Sequence, residues 1–201
     1  MGSRLKHLTV AIIAGGASSR MGRDKAFLKL GGLTLIERVI AASANLGQSE
    51  TILITNKPDA YEHLALQTYG DVISGMGSLG GIYTALTRAA NPATLVLACD
   101  MPFINPDLLR FMIAQLDEET DIVVPRVDGY PQAMHAIYKK TCLAPIRAQL
   151  DANRLKIIRF YGQMRVTYLD EPDYAPYDAE ARSFTNLNTP AELARARQMI
   201  E

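Results

Sequence analysis

The sequence lacks most of the features that assign function by class. It has no net charge, because 21 Lys and Arg balance 21 Asp and Glu across 201 residues. That balance excludes a general binder of nucleic acid or of membrane surfaces, so any anion site must come from local placement of charge. No apolar run approaches the ~18 residues that a membrane helix needs. The opening MGSRLKHLTV has no apolar signal segment, and Lys6 stands where a myristoylation motif wants Ser or Thr. The two cysteines, Cys99 and Cys142, are too few for a disulfide framework and have no metal-ligand spacing. These absences predict a cytoplasmic protein in a reducing compartment. Histidine is also scarce (His7, His63 and His135), and none lies in the glycine or aspartate blocks described next.

Strands alternate with helices along the first 128 residues. Leu8 to Ile13 reads as a strand buried on both faces. TLIERVIAASANLG reads as a helix, with Thr34 and Glu37 forming a capping box and Gly47 as its stop. TILIT is a second strand. DVISGMGSLGG reads as a short strand from Asp71 that breaks into a glycine-rich loop, followed by the helix IYTALTRAA. TLVLACD is a third long strand. The next helix has Asn105 as N-cap and Pro106 at its first position, and DIVVPRV is a strand. This rhythm predicts an α/β fold, a mostly parallel sheet with helices on both faces in three αβα layers. Beyond residue 128, QAMHAIYKK and RVTYL read as strands, and CLAPIRAQLDAN and LKIIRFYGQM as helical segments. EPDYAPYDAEARS reads as loop. TPAELARARQMI is a helix capped by Thr189 and Glu192.

Three blocks point to chemistry. In IIAGGASSRMGRDKA, Gly15 and Gly16 follow a buried strand and precede Arg20, Arg23 and Lys25. Glycine there lets backbone N–H groups approach phosphate oxygens, and the cations add charge. The block is not a P-loop, since five residues separate Gly16 from Gly22 and Arg23 follows; G-x-G-x-x-G is absent too. A glycine turn followed by solvated basic residues is the plain alternative. In VLACDMPF, Asp100 ends an apolar strand, where ligands bind in open α/β sheets and where one carboxylate suits Mg²⁺. Asn105 already caps the next helix, so Asp100 is not needed as a cap. Cys99 points to the opposite strand face and reads as core, as does Cys142. The third block, Gly75, Gly77, Gly80 and Gly81 at a helix start, suits a nucleotide lying on backbone, or else a mobile loop without a ligand.

These blocks, with TNK and FTNLNTPAEL in the same order, resemble the molybdenum cofactor guanylyltransferase family, nucleotidyltransferases with a Rossmann-like fold. Ile13 replaces the leucine of the family signature. The resemblance implies Mg²⁺-dependent transfer of GMP from GTP to molybdopterin-bound molybdenum cofactor, with release of pyrophosphate. It carries GTP contacts over to Ile13, Ala14, Gly15, Lys25, Asn56, Asp71 and Asp100, and the metal to Asp100. Arg20 and Lys25 would neutralise the triphosphate. Residues 1–201 then form one nucleotidyltransferase domain, with 1–128 holding the nucleotide and 129–201 the acceptor. Asn186 and Asn188 share one side of an extended segment, and Phe184 shares their parity. These asparagines and His135 are the acceptor candidates, although a half-buried strand histidine explains His135 as well. Tyr168, Tyr174 and Tyr177 are available either to stack on a pterin or to cover the sheet edge. GTP and molybdopterin cofactor are the implied partners, with room for transient contact with cofactor-delivery proteins and apo-molybdoenzymes. Rival readings are a cytidylyltransferase for the same cofactor, a sugar-phosphate nucleotidylyltransferase, and a non-catalytic adaptor that binds GTP or cofactor.

Overall fold

The computed structural model describes residues 8–15 and 25–200. Strand β1 (Leu8–Ile13) is buried along its whole length. After the hairpin of β2 (Lys29–Leu30) and β3 (Leu33–Thr34) comes helix α1 (Leu35–Ser43), started by the Thr34–Glu37 capping box. It stops before Gly47 because the Gln48 amide donates to the carbonyl of Ser43 at 2.9 Å. Strands β4 (Glu50–Ile54) and β5 (Gln67–Tyr69), helix α2 (Gly77–Arg88), strand β6 (Ala93–Ala98) and helix α3 (Pro106–Ala114) follow. The remainder is β7 (Ile122–Val127), β8 (Tyr130–Pro131), β9 (His135–Lys139), α4 (Leu143–Asp151), β10 (Val166–Leu169), α5 (Glu171–Tyr174) and α6 (Pro190–Gln198).

The main sheet runs β10-β7-β9-β6-β1-β4-β5, with β8 paired to β7. Along that path only β9 is antiparallel to its neighbours, β6 and β7. The expected mostly parallel sheet is therefore present. Strand alternation divides the core in two. Val10 and Ile12 face α1 and α3 through Ile36, Val39, Leu109 and Met112. Ala11 and Ile13 face α2 and α4 through Leu79, Ile82, Ile146 and Leu150. Helices thus cover both faces, as three layers require. β9 inserts between β6 and β7, so residues on either side of position 128 share one sheet.

Two segments differ from the sequence expectation. The strand assigned from Asp71 lies earlier, at Gln67–Tyr69, and residues 70–76 are irregular. The cause is Asn56, whose side-chain oxygen accepts from the N–H of Asp71 at 2.8 Å and so occupies a backbone donor that a continued ladder would use. The stretch read as loop after Leu169 contains α5 and a 3₁₀ turn, Arg182–Phe184. The Asp170 and Asp173 side chains form a capping box there, a pattern hidden by the expectation of Ser or Thr with Glu.

Beyond β9, the far edge of the sheet is held by a buried carboxylate. Asp121 accepts from the Arg165 guanidinium at 3.0 and 3.1 Å, from the Arg165 N–H at 3.1 Å and from Thr141 Oγ1 at 2.8 Å. Arg165 is the main reason that the Asp121 carboxyl is held well below the usual carboxylate range. A carboxyl depressed in the folded state stabilises fully above its unfolded value of about 3.9, and that contribution is lost as pH falls toward the folded value. Asp121→Asn should therefore cost about 1–3 kcal/mol at pH 7. In urea melts at stepped pH, the gap from wild type should narrow below about pH 4. A gap that stays constant down to the acid transition would show that shape, not charge, stabilises this edge.

Candidate functional site

The sheet ends level at one side. Ala14 N–H donates to the Ile54 carbonyl at 2.9 Å, Cys99 N–H to that of Ile13 at 3.2 Å, and Thr55 N–H to that of Tyr69 at 2.9 Å. Past these last rungs β4 and β6 give way to irregular chain, the position at which ligands bind in open parallel sheets. A cleft of about 470 Å³ opens there. Its floor is Ile13, Ala14, Gly15 and Cys99, and one wall is the N-terminus of α2. Gly75 and Gly77, at φ +78° and +57°, shape that wall, and side chains rarely adopt such backbone. Gly81 lets α2 sit close to β1, since a Cβ there would lie 3.1 Å from Ile13 Cγ2. Met76 caps α2 without a side-chain hydrogen bond, so the helix start presents N–H groups and positive potential toward the cleft.

Asn56 and Asp71 form a second wall. The Asn56 amide donates to Asp71 Oδ2 at 2.8 Å, and its oxygen accepts the Asp71 N–H at the same distance. This two-way pair orients both side chains at the cleft, which they line together.

The charged corner joins three distant parts of the chain. Lys25, in a 3₁₀ turn anchored by the fully buried Ala26, donates to the Asp100 carboxylate and, at 3.0 Å, to Asn188 Oδ1. The Lys25 and Asp100 side chains are 21% and 12% exposed, so their attraction is little screened by water. The Asp100 carbonyl accepts the Leu187 N–H at 3.0 Å, which draws the 186–188 segment over the site. Leu187 is buried, while Asn186 and Asn188 are exposed on the other side. Among the described residues no three His, Cys, Asp or Glu side chains cluster to hold a metal on their own. The Asp100 carboxylate and the Asn188 amide oxygen do converge on one cation, the Lys25 ammonium. Two hard oxygens beside Lys25, which lines the cleft, suit an ion that keeps waters and takes phosphate oxygens.

Other expected site residues fall elsewhere. His135 is fully buried, which corrects its assignment to acceptor contact. Its ring meets Phe184 edge-on at 5.1 Å, neither ring nitrogen has a partner, and burial pushes its pKa down to about 4. The Arg182–Phe184 turn breaks the extended parity, so Phe184 joins the core instead of sharing the side of Asn186. Tyr174 is core, Tyr177 stacks on Phe111, and Tyr168 lies under the Arg126 guanidinium. Arg20 lies outside the described residues.

Thr55, Lys57, Ser78 and Cys99 also line the cleft, and sequence reasoning did not select them. The sequence places Cys99 in the core. It is 6% exposed and serves as both core and floor, because it sits at the strand terminus. Thr55 and Lys57 flank Asn56 in TNK, and that adjacency was the available signal.

Comparison with known proteins agrees with this geometry. Residues 10–166 match the family described as MobA-like NTP transferase domain. The chain is 39% identical over 193 residues to a probable molybdenum cofactor guanylyltransferase of Pelotomaculum thermopropionicum, covering 96% of this chain and 93% of that one. It is 34% identical over 199 residues to a protein of the same description from Natranaerobius thermophilus, covering 96% and 97%. Among solved structures, the molybdopterin-guanine dinucleotide biosynthesis protein A of Archaeoglobus fulgidus superposes with a TM-score of 0.80 at 27% identity, covering 96% and 98%. A cleft beyond parallel strand ends, a cation–carboxylate corner and a family match over most of the length lead to one assignment: this chain belongs to the MobA-like NTP transferase family and is a nucleotidyltransferase.

Proposed function

We propose that the protein transfers GMP from GTP to the phosphate of molybdopterin-bound molybdenum cofactor, forming the guanine dinucleotide cofactor and pyrophosphate. The observation that carries this reading is the Lys25–Asp100–Asn188 corner at the edge of a glycine-floored cleft. An acceptor phosphate oxygen attacks the α-phosphorus of GTP, the bond from that phosphorus to the β-phosphate bridging oxygen breaks, and pyrophosphate leaves with the bond's electron pair. The acceptor is a phosphate monoester with a second pKa of about 6, so it is already largely dianionic at pH 7. Attack therefore needs no strong base. His135 is sealed in the core, in keeping with that.

The remaining barrier is electrostatic, because two polyanions must meet and charge builds on the leaving group. Gly15, Gly75 and Gly77 leave room for phosphates against backbone, and the α2 N-terminus offers unbonded N–H groups. The Lys25 ammonium neutralises the leaving pyrophosphate, and Arg20 is assigned the same role from the family signature. Asn56 and Asp71 hold the nucleoside end. Mg²⁺ fits the corner through Asp100, with Asn188 as a second oxygen, and when bound it supplies Lewis-acid neutralisation of phosphate charge. Asn186 and Asn188 face the incoming acceptor. Among the described residues no helix is long and apolar enough to cross a membrane. The cytoplasm is the proposed compartment.

Asp100→Asn should nearly abolish turnover while leaving GTP binding without Mg²⁺ measurable by calorimetry. Near-normal activity across a Mg²⁺ titration would remove Asp100 from the metal site. Lys25→Ala should lower kcat/KM about 10²-fold, as for loss of a fixed charge aimed at the transition state. Circular dichroism should show an intact fold, and an unfolded variant would instead make Lys25 structural. In a panel of GTP, CTP, ATP and UTP assayed by pyrophosphate release, GTP should exceed CTP by at least ~10-fold in kcat/KM, roughly 1.4 kcal/mol. Equal use of CTP would refute guanylyl transfer and leave the fold standing.

A further inference from the structure

Helix α6 begins with a capping box that reaches further than its counterpart. In α1, Glu37 Oε2 accepts from the backbone and hydroxyl of the N-cap, Thr34, each at 2.7 Å, and the contact stops there. In α6, Glu192 Oε2 accepts from the N-cap Thr189 N–H at 3.0 Å and also from the preceding residue, Asn188, at 2.6 Å. A helix cap needs only the first of these bonds. The second, shorter one fixes the peptide plane of the residue whose side chain meets Lys25. The neighbouring N–H, that of Leu187, is held by the Asp100 carbonyl at 3.0 Å. Two successive backbone donors are thus pinned from opposite sides, one by the residue that carries the catalytic carboxylate and one by α6.

The same helix also grips the chain that leads away from Lys25. Leu193 and Ala196 of α6 pack with Leu187 against Leu30 and Leu35. The Arg197 guanidinium donates to the Lys29 carbonyl at 3.4 Å. Helix α6 therefore fixes the Asn188 end of the Lys25–Asn188 hydrogen bond and packs on the hairpin that follows Lys25. The bonds from Asn188 and then Thr189 also hold the Glu192 carboxyl below its ordinary range, so it is ionised and a strong acceptor at neutral pH.

We infer that Glu192 is a positioning residue for phosphoryl transfer: through the Asn188 N–H it holds the Asn188 amide in register with Lys25 and Asp100. This rests on the proposed placement of those three residues at the reaction centre. Outer contacts of this kind are worth about 10-fold or more in activity when removed.

The test compares Glu192→Ala, Glu192→Gln, Thr189→Ala and Asn188→Ala in the full-length protein, with GTP, Mg²⁺ and molybdopterin cofactor. Turnover at saturating substrate, GTP affinity by calorimetry and melting temperature are measured on the same preparations. Glu192→Ala should lower kcat about tenfold, while GTP affinity changes less than about threefold. Glu192→Gln should recover most of that loss, because its amide oxygen can accept the same two N–H groups. Thr189→Ala removes the other half of the cap, the bond from the Glu192 N–H to the Thr189 hydroxyl at 3.2 Å, without touching Asn188. It should lower the melting temperature as much as Glu192→Ala and keep kcat within about twofold. Equal losses of kcat in Thr189→Ala and Glu192→Ala, or none in Glu192→Ala while Asn188→Ala is impaired, would overturn the positioning role alone. Normal turnover in Asn188→Ala would overturn the placement of the reaction centre together with it.

Discussion

Burial of β1 on both faces and both edges is the constraint on which the rest of the structure depends. Each of its residues either packs into one of the two cores or hydrogen-bonds to β4 and β6. Apolar burial of this kind stabilises by about 25 cal/mol per Å² removed from water, and it has no direction. The ladder supplies direction, because it stops where the last apolar pair stops. The ladders end at Ile13, and the cleft opens past the ends of β1, β4 and β6.

A second dependence is electrostatic. The molecule has no net charge, yet it presents Lys25, Lys57 and a helix N-terminus to one small volume. Asp71 lines the same volume, and Asp100 is the counterweight to Lys25 at its edge. It keeps the Lys25 ammonium ordered in a partly desolvated corner, where an unpaired charge would be costly. Under the proposed function, an arriving polyphosphate and its cation would replace this internal pairing with an external one. The ground-state ion pair is thus an arranged site, with side chains already directed and little reorganisation needed. The glycines serve the same end by different means: Gly81 admits close packing of α2 on β1, and Gly75 and Gly77 adopt turns that would strain other residues.

The far half of the chain supports this corner from a distance. Antiparallel β9 fills the sheet between β6 and β7, and the Asp121–Arg165 network ties down the edge beyond it. Ser183 Oγ accepts the Asn105 N–H at 3.0 Å, and the Asn105 amide donates to the Tyr177 carbonyl at 2.6 Å. These bonds fasten the 177–184 strap beside the loop that follows Asp100. His135 belongs to this support, as a neutral ring packed on Phe184. A buried imidazole without partners stays uncharged at neutral pH because charging it would forfeit hydration with no compensation.

Much of this was legible in the residues alone, where the deciding physics is local. The apolar run of β1, the caps at Thr34, Asn105 and Thr189, and the aspartate in the turn just past β6 all depend on neighbours within a few positions. So does the parity that exposes Asn186 and Asn188 around buried Leu187. Tertiary structure alone decided that Lys25 and Asn188, 163 residues apart, share a hydrogen bond, and that Glu192 steadies the second of them. It also decided that β9 runs against the sheet and that His135 is sealed from the cleft. Local sequence sets which backbone conformations are cheap, because caps and periodicity act over one or two turns. Which distant side chains meet is set by how two apolar faces close over one sheet, a sum over the whole chain that no short stretch encodes.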